Sequence, residues 1–156
     1  MKCCFRYVGS ASLMAAFGGM SAVVSGRCLC GFVAYIYSGI VGPAGYCHCK
    51  DCRQCSGSAF GISVRFEADK FALSQGRVKG HTKRSDSDVA LTRHFCPECG
   101  SPIYTSSEKH AAYVYVKAGS LDDSTIVKPA YQSWVSSAVP WCTIDPSLPT
   151  FDRGRT

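Results

Sequence analysis

The chain has 156 residues, 46% of them hydrophobic and 18% charged, with a mean hydropathy of +0.02; this excludes a disordered protein and suits one domain around one core. Its net charge is +6, but the lysines and arginines are scattered, so the pattern describes a solvated basic surface and argues against a nucleic-acid face. Eleven cysteines form an odd count, spaced as C-x-C and C-x-x-C, which argues against a full disulfide set and for metal chelation in a reducing, cytoplasmic compartment.

Residues 1–25 begin with a basic start, Met1-Lys2-Cys3-Cys4-Phe5-Arg6, followed by a small-residue apolar stretch over 11–24. A signal peptide is the rival reading. The stretch is too rich in Gly and Ser to span a bilayer comfortably, and no convincing small-x-small cleavage site stands just before Gly26. We read it as an extension outside the domain, either disordered or the product of an upstream start, with the native chain beginning at Met20. The domain is expected over 26–156.

From Gly26 the signals are strands and turns. Residues 32–37 are β-branched and aromatic and end at Ser38-Gly39; Gly42-Pro43-Ala44-Gly45 is a turn cluster. Residues 62–66 alternate apolar and polar, as a half-buried strand does. Gln75-Gly76-Arg77 predicts a turn, 78–82 a short strand, 85–88 a polar loop and 89–95 an extended run into Cys96. Residues 113–116 carry the strongest strand signal, and 131–135 predict the last strand. No long amphipathic helix is visible; single helical turns are expected after Cys49 and over 120–125. Pro140, Pro146 and Pro149 predict an extended tail wrapping the surface. The class is therefore mainly β, with small twisted sheets pinned by metal.

Three cysteine groups carry the chemistry: Cys28-Leu29-Cys30, Cys47-His48-Cys49-Lys50-Asp51-Cys52 and Cys96-Pro97-Glu98-Cys99-Gly100. Structural zinc takes four tetrahedral ligands, so Cys28 and Cys30 can close one site with Cys96 and Cys99. The Gly after Cys99 lets the backbone turn and offer N–H groups to sulfur, as in a zinc knuckle. Cys47, Cys49 and Cys52 supply three thiolates, and three protein ligands with one open position is how catalytic zinc is held. Two alternatives stay open: Cys55 as a fourth ligand that closes the site, and His48 as a ligand, although in an extended segment it points away from its neighbours. Cys142 is expected to be a small packed side chain. His81, His94 and His110 show no ligand spacing. No Ser-His-Asp signature, paired carboxylates, P-loop or dinucleotide fingerprint is present.

On these residues the chain resembles the glutathione-dependent formaldehyde-activating enzyme family, which includes the centromere protein V domain. The likeness runs from about residue 25 to residue 151 and rests on Gly26-Arg27-Cys28-Leu29-Cys30-Gly31, on Cys47 through Arg53 with Ser56-Gly57-Ser58, and on Cys96 through Ser101. Gly119-Ser120-Leu121-Asp122-Asp123 and Trp141 fit as well. The chain departs from the family at Cys55, where a small or aliphatic residue is common, and in its leading residues.

The resemblance implies an Mss4-like fold and two zinc ions. One is structural, on Cys28, Cys30, Cys96 and Cys99; the other is catalytic, on Cys47, Cys49 and Cys52, where glutathione is thought to act. It implies a carbon–sulfur lyase or synthase of formaldehyde detoxification, joining glutathione and formaldehyde as S-(hydroxymethyl)glutathione. Zinc would either ionise the thiol or polarise the aldehyde; three thiolates make the metal electron-rich and favour the first role. Glutathione is anionic, so a cation beside the second site is expected: Arg53 first, with Lys50 and Arg65 behind it. The expected partners are glutathione or a similar small thiol and an aldehyde, with no membrane and with a homo-oligomer left open. The alternative from another class is a non-enzymatic zinc module that binds protein or nucleic acid.

Overall fold

The computed structural model describes residues 23–155; Cys3, Cys4 and Met20 lie outside them. The described chain is mainly β, as its strand-and-turn pattern predicts. Three antiparallel strands, β1 (Val24–Arg27), β2 (Ala34–Tyr37) and β5 (Phe71–Gln75), form one sheet in the order β1-β2-β5. Eight more form the second: β3 (Ala44–Cys47), β4 (Gly61–Glu67), β6 (Lys79–Arg84), β7 (Ala90–Phe95), β8 (Pro102–Ser107), β9 (Tyr113–Lys117), β10 (Pro129–Ser133) and β11 (Thr150–Phe151). Their order is β11-β10-β3-β4-β9-β8-β7-β6. Among the described residues the parallel pairings are those of β10, with β3 on one side and β11 on the other. Among the described residues there is one α-helix, α1 (Lys50–Ser56), which follows β3. No helix among the described residues is long and apolar enough to cross a membrane.

Side chains alternate across a strand, so β4 and β9 each present two faces. Val64, Phe66, Val114 and Val116 are buried and form the core face with Ile103 of β8. Tyr35 and Tyr37 of β2 close the core from the small sheet, both at 0% exposure. Tyr37 stacks on Phe66 with ring centroids 3.9 Å apart, and Phe71 fits between Tyr35 and Tyr104. A buried phenol needs a partner for its hydroxyl. Tyr35 Oη has Ser120 Oγ at 2.8 Å, and Tyr37 Oη donates to the Ile40 carbonyl at 2.8 Å. Burial pushes the Tyr35 phenol up to about 12.

The opposite face of the same strands is polar. Ser63 and Arg65 on β4 share it with Tyr113, Tyr115 and Lys117 on β9, all half-buried. This face positions the site.

Strands β1, β5, β8 and β11 have no counterpart in the sequence expectation, and two of the expected elements have different ends. The Gly42–Gly45 cluster is only partly a turn, because β3 starts at Ala44. Gly45 can sit in that strand because the Tyr131 ring lies over it: a Cβ there would come within 2.3 Å of the ring. The last predicted strand stops two residues early, at Ser133. Trp134 then turns the chain with φ of 59°, in the left-handed region that bulky residues avoid.

The core assignment is open to measurement. Phe66→Ala should cost about 3–5 kcal/mol in urea unfolding of the metal-loaded protein. Ile40→Ala, at a position 85% exposed, should stay within about 0.5 kcal/mol of the parent.

Candidate metal centres and the adjoining cavity

The first cysteine cluster is assembled from two tight turns. Gly31 and Gly100 follow its cysteine pairs with φ of 77° and 73°, where added side chains would meet no neighbour; backbone conformation is what selects glycine here. Gly31 N–H donates to the Cys28 carbonyl at 3.1 Å and Gly100 N–H to the Cys96 carbonyl at 3.0 Å. The Val33 N–H donates to Cys28 Sγ at 3.2 Å. The sulfurs of Cys28, Cys30, Cys96 and Cys99 all lie within 4.8 Å of one another. A tetrahedron with 2.3 Å metal–sulfur bonds has edges of about 3.8 Å. The Cys28–Cys30 and Cys30–Cys96 separations are 3.5 and 3.8 Å, so the donor set fits a four-thiolate ion. Hydrogen bonding from Ser101 holds the Cys99 thiol down at about 5.

The second cluster spans the end of β3 and the start of α1. Cys49 is the N-cap of α1, and its sulfur accepts the Cys52 N–H at 3.3 Å; one ligand candidate thus starts the helix that carries the next. The sulfurs of Cys47, Cys49 and Cys52 lie within 4.8 Å of one another, and that of Cys55 is not in the group. Protons are shared unequally among them. Hydrogen bonds from the Cys49 and Cys52 thiols pull Cys47 down, and the same contacts push Cys49 and Cys52 up. Three thiolates in one place require a cation, so this donor set also suits a metal. His48 turns away, buried at 1% exposure, with its ring edge against Phe60 and Nε2 3.4 Å from Gln132 Oε1.

Asp51 locks α1 against the sheet. Its Oδ1 accepts from Lys83 Nζ at 2.6 Å and its Oδ2 from Arg93 Nη2 at 3.1 Å. Beside Cys47 and Cys52 opens a cavity of about 300 Å³. The polar face of the large sheet forms its wall, with Ser63, Arg93, Ser107, Tyr115, Lys117 and Tyr131 among the lining residues. Lys117 Nζ donates to Ser63 Oγ at 3.2 Å and has no carboxylate partner among the described residues. Ser107 is 6% exposed, and its buried hydroxyl has no hydrogen-bond partner among them. Arg53, the cation singled out from the sequence, is half-buried and is not among the lining residues. Lys117 and Arg93 were missed because strand pairing, not local spacing, brings them to the cysteines. Cys142 is half-buried rather than packed, and Trp141 beside it is 74% exposed.

The sequence profile of the glutathione-dependent formaldehyde-activating enzyme matches residues 23–137. The chain belongs to this family. No curated protein matches the sequence. Among solved structures, a crystal structure of a Rhodobacter sphaeroides protein from a structural-genomics programme is similar at a TM-score of 0.54 and 15% identity, over 81% of this chain and 98% of that one. At that identity the likeness bears on the fold. Membership in a family of enzymes supports an enzymatic role, and both cysteine clusters are compatible with zinc.

The two clusters should respond differently to mutation. Cys96→Ser should lose one equivalent of zinc together with the cooperative unfolding transition, because a closed structural site contributes folding energy. Cys52→Ser should lose the other equivalent and keep its far-ultraviolet circular dichroism. Metal analysis and thermal melts check both.

Proposed function

We propose that this chain is a zinc-dependent enzyme that forms a carbon–sulfur bond between glutathione, or a closely related thiol, and formaldehyde. The carrying observation is the three-cysteine cluster opening onto a cavity with an unpaired lysine, in a chain of this family. Cys47, Cys49 and Cys52 would hold the catalytic zinc, and Cys28, Cys30, Cys96 and Cys99 the structural one. When bound at the trio, zinc would supply a centre that keeps a thiol ionised at neutral pH, where a free thiol is mostly protonated.

The remaining work falls to the chain's own groups. Lys117 binds a substrate carboxylate and keeps its hydrogen bond to Ser63, which fixes the ammonium against the wall. Arg93 already shares its charge with Asp51, so its part is to orient α1 and the cysteines upon it. The unpartnered Ser107 hydroxyl offers a hydrogen bond to a polar substrate atom. Lys117, which lines the cavity, is better placed for substrate than Arg53. In the reaction the thiol sulfur bonds to the aldehyde carbon, the carbonyl π bond opens, and the thiol proton ends on oxygen. A cytoplasmic setting keeps the seven cysteines reduced.

The spontaneous addition sets the baseline for the test. Exchange spectroscopy between formaldehyde hydrate and the glutathione adduct should show the wild-type, zinc-loaded protein accelerating interconversion. Cys52→Ala should return the rate to that of buffer. Unchanged acceleration with unchanged zinc content in that variant would remove the proposal.

A further inference from the structure

A second cavity of about 320 Å³ continues from the first, sharing His110, Tyr115, Tyr131 and Ser133 in its wall. Two arginines line it. The Arg65 guanidinium lies 4.6 Å over the Tyr113 ring, and that of Arg155 lies 4.6 Å over Tyr131. Stacking occupies the face of a guanidinium and leaves its N–H edge free to fork onto a planar anion. Neither guanidinium has a hydrogen bond or ion pair among the described residues, and no aspartate or glutamate lines either cavity. Away from the cysteine sulfurs at one end, the two adjoining cavities carry only cationic and neutral walls, which favours an anionic group there.

We propose that Arg65 and Arg155 form a carboxylate clamp for the end of a peptidic thiol remote from its sulfur. The clamp rests on the thiol chemistry proposed above and specifies its substrate class: a thiol that carries a carboxylate at peptide distance. The spacing agrees. Cys47 pairs with Gly61, four residues before Arg65 on β4, which is about 13 Å of strand. The two side chains shorten that gap, and the two residues from a peptide's cysteine to the carboxylate of the residue after it span about 7 Å. Lys117 lies between, opposite Ser63, and takes a second negative group. Each arginine is positioned from a different part of the chain: Arg65 by the pairing of β4 with β9, Arg155 by the tail that follows β11. Gly45 admits the Tyr131 ring on which Arg155 rests.

The test uses S-methylglutathione, which keeps both carboxylates but has no thiol, titrated calorimetrically into the zinc-loaded protein. Arg65→Gln and Arg155→Gln should each weaken its binding about tenfold, the loss of one charged hydrogen-bonded contact. Turnover of cysteamine, a thiol without carboxylates, should not change in either variant. Arg155 is exposed and lies outside the core, so its variant folds even if Arg65→Gln does not. Wild-type affinity in the variants, no binding to the parent, or equal loss with cysteamine would overturn the clamp. Weakened binding in the variants of a protein that never accelerates the aldehyde reaction would leave the clamp standing and remove the reaction instead.

Discussion

The pleat of β4 and β9 governs both halves of this protein. Val64, Phe66, Val114 and Val116 face the small sheet, and the residues between them, Ser63, Arg65, Tyr115 and Lys117, face the cavity. The two sets cannot be chosen independently, since a shift of one residue would carry every side chain to the other face. Such a slip would bury Lys117 and Arg65 among apolar groups, at a cost far above what one valine contributes. Register is thus fixed from both sides. The energy that holds the core also sets the spacing of the cationic groups along the cavity.

The cysteine clusters solve separate problems on this frame. A sheet of three strands of four or five residues each is at the lower limit of independent stability. Cys28 and Cys30 follow β1, and Cys96 and Cys99 follow β7, so a shared ion would tie the small sheet to the large one across 66 residues of sequence. The glycine turns after each pair fold the backbone back beside the sulfurs, and four thiolates suffice for a tetrahedral ion, although Cys30 is exposed. After Cys49 the chain instead enters a helix, and Cys52 is presented on its first turn. Nothing wraps the trio on its cavity side. The difference between a cluster of four sulfurs and one of three comes from what the backbone does after a cysteine: a glycine turn in one case, a helix in the other.

That local character explains what could be read in advance. The cysteine groups lie within short segments, and their spacing shows directly in the sequence. Residues 62–66 and 113–116 alternate cleanly, and they are the strands that form the core. By contrast β3 and β10 carry glycine or proline in their first residues and pair in parallel, and β5 and β8 have weak alternation; their strand character comes from partners, not from propensity. The cavity was hidden for the same reason. Lys117 reaches Cys47 only through the pairing of β9 with β4 and of β4 with β3. Arg53 drew attention because it adjoins a cysteine in sequence, but adjacency on a helix turns successive side chains in different directions. A cation must share the face of the sulfurs, and in this fold that face belongs to the sheet.

Cys55 can be placed by the same reasoning. One helical turn beyond Cys52, it had the spacing of a fourth ligand, yet its sulfur is outside the trio. Together with Lys117 it lines the cavity beside the trio and two neighbouring cavities as well. A bulkier side chain in place of Cys55 would take space from all three. A reduced cysteine behaves as a small apolar side chain and takes little of that space. What α1 contributes to the site is two sulfurs on one side and, a turn later, the absence of bulk.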